Sequence, residues 1–350
     1  MRIDRPLAWA IALAVLAFAP LAGAQEPKPE LASILVSNAP NIVPRDAPLV
    51  ISFQPAALLK LPDLKALYEE FTRADEVRRI VDVAEPESVE AITLVLMRRD
   101  LKIVGDPGDE LAAAGAVIVR TNKAREWKAL AAAAGVPVVK AAHAGKEYYR
   151  VSGDVPMAFG FYQPDDMTLV VASEANLRKI IEGEKAGEPG KPVVRSGDDS
   201  SPKSLAAATV DFAWVRDLLG PQIKANPEAA LLLSVVGPIW EKTDGVTIRL
   251  SASDSGGLIL VADHLCADEA GAKRVEKTFE AFLTLAQNAG PEGLKLLRQQ
   301  SKGDPIASEM ADLGEQAIKN ATVDREGTRV RVKMSVKADV AKLARLMRGK

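Results

Sequence analysis

Short runs of β-branched and aromatic residues, each closed by a turn signal, constrain this chain more than any other feature. Residues 49–53, 91–96, 116–120, 136–140, 147–151, 157–162 and 168–171 read as strands in the first half. Residues 206–212, 245–253, 257–265, 321–323 and 328–336 read as strands in the second. Ala144-Gly145-Lys146, Gln163-Pro164-Asp165-Asp166, Asp254-Ser255-Gly256 and Asp324-Arg325-Glu326-Gly327 supply the connections between them. Turns this short can join only antiparallel neighbours, because a parallel pair needs a crossover of a dozen residues or more.

Helical spacing fills the gaps. Leu58, Leu61, Leu64, Leu67 and Phe71 follow Pro55, which suits the first turn of a helix. Ser173 is expected to cap a helix over 174–181. Asp268 caps a longer one, whose Val275, Phe279, Phe282, Leu283 and Ala286 form one apolar stripe. Two further helices are expected over 306–319 and from Val340 to Met347.

Each half thus runs strand, helix, strand, strand, helix, strands, helix. The expected fold class is α+β: two similar split βαβ-type units, with antiparallel sheets and helices packed on one face. The expected organisation is a signal peptide (1–24), a Pro-rich leader (25–48), a first unit (49–183), a linker or long loop (184–204) and a second unit (205–350).

The signal peptide rests on three parts in order. Arg2 and Arg5 give a positive start, residues 7–19 are uninterrupted apolar, and Ala22-Gly23-Ala24 places Ala22 and Ala24 at a signal-peptidase recognition site before Gln25. The apolar stretch is shorter than the roughly 20 residues a membrane helix needs. The expected location is therefore exported, periplasmic or extracellular, with no membrane span after cleavage. Cys266 is the only cysteine, so no internal disulfide can form there.

Charge and composition narrow the function classes. Lys and Arg number 45 against 47 Asp and Glu, for a net charge of −2, and no basic run of five appears. Phosphate backbones are held by clustered cations, so nucleic acid is not an expected partner. Aromatic residues make up only 5% of the chain, which weakens base stacking further.

The candidate chemistry is sparse. His143 lies in a turn, and His264 precedes Cys266 beside Asp263, Asp268 and Glu269. On a strand His264 and Cys266 share a face while Asp263 points away, which leaves a zinc site short of ligands. Ser200-Ser201-Pro202-Lys203 spells S-x-x-K without the companion motifs of that hydrolase class. Asp165-Asp166 and Asp198-Asp199 are the acid pairs a carboxylate hydrolase would draw on, and both sit in expected turns. Trp127, Trp214 and Trp240 fall on apolar helix faces, and Tyr148-Tyr149 puts one ring on each side of a strand. Asn320-Ala321-Thr322 is a glycosylation sequon. No catalytic, cofactor or metal residue is assigned.

Met167-Thr168-Leu169-Val170-Val171-Ala172-Ser173-Glu174-Ala175-Asn176-Leu177 and the residues on to Gly183 resemble a strand-to-helix segment of uncharacterised exported proteins of planctomycete-type bacteria. The stretch from Val50 to Leu59 is similar to the same family. The resemblance implies an exported bacterial protein and carries no site residues. The expected function is an exported non-enzymatic binding or structural protein with an envelope or extracellular partner. The alternatives are an exported carboxylate-dependent hydrolase and a carrier of an apolar ligand.

Overall fold

The computed structural model describes residues 42–44, 47–60, 86–97, 114–129, 137–152, 159–185, 204–225, 236–253, 257–300 and 305–337. Ala22 and Ala24, the helical pattern after Leu61, the polar stretch with Asp198, Ser200 and Lys203, and the final helix lie outside these residues.

The strands of the first half are β1 (Leu49–Phe53), β2 (Val89–Leu96), β3 (Gly115–Thr121), β4 (Val138–His143), β5 (Lys146–Val151), β6 (Phe159–Asp165) and β7 (Thr168–Ser173). Those of the second are β8 (Ser204–Asp211), β9 (Thr243–Ala252), β10 (Leu258–Cys266), β11 (Thr322–Glu326) and β12 (Arg329–Val336). Among the described residues the helices include α1 (Pro55–Leu58), α2 (Glu174–Lys185), α3 (Phe212–Ala225), α4 (Glu269–Gln300) and α5 (Pro305–Lys319), with a further helical stretch over 236–242.

All twelve strands join one sheet in the order β11-β12-β10-β9-β8-β1-β2-β3-β7-β6-β5-β4, and every neighbouring pair is antiparallel. The halves meet where β1 pairs with β8, from Leu49↔Val210 to Phe53↔Ala206. A split βαβ arrangement is present once in close form: β10 and β11 run parallel with β12 between them, linked through α4 and α5. In the first half β3 and β4 also run parallel, but β7, β6 and β5 lie between them.

One row of residues crosses the whole sheet. It reads Asp324, Arg331, Asp263, Thr247, Thr209, Val50, Val95, Ala116, Ala172, Gly160, Arg150, Val139, one from each strand in spatial order. Side chains alternate between faces along a strand, so this row marks one face throughout. In the first half that face carries Val95, Ala116, Ile118 and Val170, buried under Leu177, Ile180 and Ile181 of α2. Burying each of those large helix residues contributes roughly 1.5–3 kcal/mol. In the second half the opposite face is the apolar one. There Leu258 and Val336 pack with Leu313 and Ala317 of α5, and Cys266 and Val330 pack with Ala272 and Val275 of α4.

Helix α2 therefore covers one face of the shared sheet, while α4 and α5, with Ala57 and Leu58 of α1 beside α5, cover the other. The cause lies in strand parity. In the second half β12 alternates Val330, Val332, Met334 and Val336 with Arg329, Arg331, Lys333 and Ser335, and so presents one apolar face. In the first half β2, β3 and β7 carry apolar residues on both faces, and α2 takes one of them.

Local details follow from residue chemistry. Ser173 Oγ accepts from Asn176 N at 3.4 Å and caps α2, which continues past Gly183 to Lys185. Asp268 Oδ1 accepts from Gly271 N at 2.6 Å and caps α4, as expected. Asp211 Oδ1 caps α3 through Trp214 N at 3.1 Å. Strand β11 extends through Glu326, so its turn falls at Gly327 and Thr328 rather than one to three residues earlier. The end of the expected leader is part of the core: Ile42 is buried, with Val43 and Ala47 against the same cluster.

Candidate functional site

Two groups of ionisable side chains on the sheet include a deeply buried member. The first lies on the polar face of the second half. Asp263, at the middle of β10, is only 1% exposed. Its Oδ2 accepts from Arg249 Nη2 on β9 at 2.6 Å, and its Oδ1 accepts from Arg331 Nε on β12 at 2.8 Å. A carboxylate that far from water needs partners of this kind, and two guanidinium donors satisfy both oxygens. Arg249 is buried as well, and Thr247 and Ser251 continue the buried polar surface along β9. These charges bind strand to strand across β9, β10 and β12.

The second group ties the β4–β5 hairpin to α2. Tyr148 is fully buried, and its hydroxyl donates to Glu174 Oε1 at 2.7 Å. Arg178 Nη2 donates to the same oxygen at 2.6 Å, and Arg150 Nη1 stands 3.8 Å from Oε2. The Tyr148 hydroxyl, with help from Arg178, holds the Glu174 carboxyl below the usual carboxylate range. At the hairpin tip His143 Nε2 lies 2.7 Å from Glu182 Oε1. Tyr149 faces the other way, half-buried, with its ring stacked on Phe161 at 5.0 Å and Lys128 Nζ 5.7 Å from its centroid. Both tyrosines therefore have places in the packing, one on each side of β5 as the sequence implies.

At the edge of the sheet, beyond these anchors, Val139 on β4 is 47% exposed. It and Leu285 on α4 are the exposed large hydrophobic residues among those described. Lys140 beside it reaches back across the hairpin to Glu147 Oε1 at 2.6 Å. The hairpin, latched to α2 by Tyr148 and His143, thus presents an apolar side chain to water.

The remaining sequence candidates are placed as follows. His264 packs its ring against Phe279 of α4, with centroids 4.7 Å apart. Burial pushes its pKa down to about 4, only partly opposed by the Asp263 charge, so the imidazole is neutral at pH 7. Cys266 is buried on the same side, and burial pushes its thiol up to about 11. Both features are poor for catalysis. Among the described residues no group of three His, Cys, Asp or Glu stands close enough to hold a metal ion. Asp165 caps its own turn, accepting from Met167 N at 2.8 Å and from Thr168 Oγ1 at 3.0 Å. Trp240 meets Phe212 edge-on, and Trp127 and Trp214 are partly buried. The Asn320 amide donates to Ser335 O at 2.9 Å.

Sequence reasoning missed the Asp263 pairing. Its signal was present: Arg249 and Arg331 sit in mid-strand, where an unpaired charge would be costly. The Glu174 anchor carried no local signal, because Tyr148 and Glu174 are brought together only by β5, β6 and β7 pairing in order.

The architecture defines an α+β protein on a single large antiparallel sheet. No family model matches the chain, and no curated protein matches it. A solved structure of TP0453, in its crystal form I, is similar with a TM-score of 0.37 and 13% identity, over 88% of this chain and 96% of that one. No functional statement follows from a likeness of that size. No helix among the described residues is long and apolar enough to cross a membrane.

Proposed function

We propose that the protein is an exported, non-enzymatic binding or structural protein of the cell envelope, and that the β4–β5 end of the sheet is its binding end. The observation that carries this reading is the latched hairpin: Tyr148 and His143 fasten it to Glu174 and Glu182 of α2, while Val139 stands in water. Export is supported by Arg2, Arg5, the apolar run over 7–19 and the Ala22-Gly23-Ala24 site. The resemblance to exported planctomycete-type proteins agrees with it.

The strand order supports an internal duplication. Outward from the β1–β8 junction the first half reads β1-β2-β3-β7-β6 and the second reads β8-β9-β10-β12-β11. Three consecutive strands are followed in each by the last two in reverse. Among the described residues the β4–β5 hairpin has no counterpart in the second half, which makes it the element added to a repeated scaffold. Added elements on a rigid frame are where binding residues tend to lie.

The test is a photo-crosslinking amino acid placed at Val139 in the full chain, produced in an exporting bacterial host. The expected result is a chain recovered with Gln25 as its first residue and a crosslinked envelope component at Val139, with none from the same label at Leu285. Turnover of a substrate by the purified chain, lost on a point substitution, contradicts the non-enzymatic reading.

One observation favours a second reading, a carrier of an apolar ligand. On the first-half face opposite α2, Ile51, Leu94, Val117, Val119, Leu169 and Val171 are all only half-buried, while Val95, Ala116, Ile118, Val170 and Ala172 on the other face are buried. A bound apolar molecule retained in native mass spectrometry would favour this reading, and a bare protein mass would remove it.

A further inference from the structure

The two edges of the sheet are finished differently. At β11, α4 lies alongside, and Arg325 Nε donates to Glu276 Oε2 of that helix at 2.9 Å. At the other end, β4 pairs among the described residues with β5 alone.

The direction of the β4 backbone groups follows from its turn. Ala144 and Gly145 have φ of 50° and 83°, the signature of a two-residue type I′ loop, which closes on a hydrogen-bonded pair. That pair is His143 with Lys146. Bonding to β5 then alternates back through Ala141 and Val139. Pro137 O, which accepts from Ser152 N at 2.9 Å, falls on the same phase. The N–H and C=O groups of Val138, Lys140 and Ala142 therefore point out of the sheet.

Natural sheets blunt such edges with proline, a bulge, or a charge lying across the strand. The register of β4 against β5 is unbroken, and no proline falls within it. Its single lysine is drawn back to Glu147 at 2.6 Å, leaving the outer edge clear. The anchors to α2 hold the strand in place before anything binds, which reduces the ordering cost of an added partner.

We propose that the open edge of β4 takes an extended segment of a partner protein by strand addition, with an apolar side chain of that segment set against Val139. This rests on the binding reading above and names its partner chemistry. Outward-facing donors and acceptors repeating every second residue, about 6.8 Å apart, match an extended backbone. A second copy of the chain fits less well. Pairing β4 with itself about Lys140 sets two ammonium groups opposite each other.

The experiment pans a phage-displayed library of random twelve-residue peptides on the immobilised folded chain, and repeats the binding with Lys140→Pro. That substitution removes an outward N–H and no β4–β5 bond, and an edge strand tolerates proline there. The expected result is a set of enriched peptides whose affinity falls at least tenfold in Lys140→Pro and falls equally when the peptide is N-methylated through its centre. Should Lys140→Pro fail to fold, the N-methylated peptides on the unaltered chain decide alone. The proposal is overturned by no enrichment, by binding that ignores both changes, or by a dimer in sedimentation that Lys140→Pro abolishes. A crosslink at Val139 that persists in Lys140→Pro overturns strand addition and leaves the binding reading standing.

Discussion

Val50 and Thr209 stand opposite each other where β1 meets β8, and on that one face the sheet changes character between them. On the Val50 side the row is largely apolar and lies under α2. On the Thr209 side it continues through Thr247 to the buried Asp263 and its two arginines. One continuous backbone ladder thus carries two cores, one on each face, and their different polarity leads to distinct expectations.

Asp263 is the residue on which the second-half ladder depends for charge balance. Replacing it with Asn removes the buried carboxylate that Arg249 and Arg331 share. We expect Asp263→Asn to lower unfolding free energy by about 3 kcal/mol or more. Arg331→Gln, at a half-exposed position, should cost less. Urea denaturation of the two variants checks the order.

Gly160 has no room for a side chain. A Cβ there would lie 2.4 Å from the Tyr149 carbonyl oxygen and 3.0 Å from Leu177 Cδ1. The first neighbour is backbone and cannot swing away. Gly160→Ala should destabilise the chain by roughly 1–3 kcal/mol. Gly183→Ala, with open space around it inside α2, should be neutral or slightly stabilising. Thermal unfolding of both distinguishes local crowding from a general intolerance of substitution.

His264 makes stability depend on pH. Its folded pKa, about 4, lies below the ordinary 6.5. Between those values the unfolded chain binds a proton that the folded chain refuses, so stability is full above pH 6.5 and declines as pH falls toward 4. The loss is on the order of 3 kcal/mol across that window. His264→Leu should flatten this part of the curve, as measured by denaturant midpoints from pH 4 to 7.

Cys266 should behave as a core residue. Its buried thiol, with a pKa of about 11, is protonated at pH 8. A thiol reagent such as iodoacetamide should label the folded chain at a small fraction of the rate seen in denaturant. Rapid labelling without denaturant would place the thiol at the surface.

Much of the fold was legible because strand chemistry is local. The turn at Ala144-Gly145 was marked by its glycine, the α4 cap by Asp268, and the paired strands by their β-branched runs. Their boundaries moved by one to three residues where ladder pairing outweighed local preference, as at β11, which extends through Glu326 against β12. Ile42 was read as part of a tether because its neighbours are prolines, yet it is held in the core by contacts from β-strands far along the chain. The face that α2 takes was not legible, because a strand that is apolar on both sides does not say which side a helix will choose.

The candidate site was legible only in fragments. Tyr148 and Tyr149 were expected on opposite sides of β5, and they are. The bond from Tyr148 to Glu174 joins residues 26 apart and depends on β6 and β7 lying between them. Asp263, Arg249 and Arg331 lie on three strands, with separations of 14 and 68 residues.

The sequence by itself determined an antiparallel α+β protein, its caps and its hairpins, since these follow from periods, turn residues and short-range hydrogen bonds. The tertiary structure alone decided that both halves share one sheet, that α2 covers one face and α4 and α5 the other, and that β11 has α4 alongside it while β4, among the described residues, pairs with β5 alone. Those outcomes depend on which strand edges find each other, and edge pairing is made by backbone groups that every residue but proline possesses.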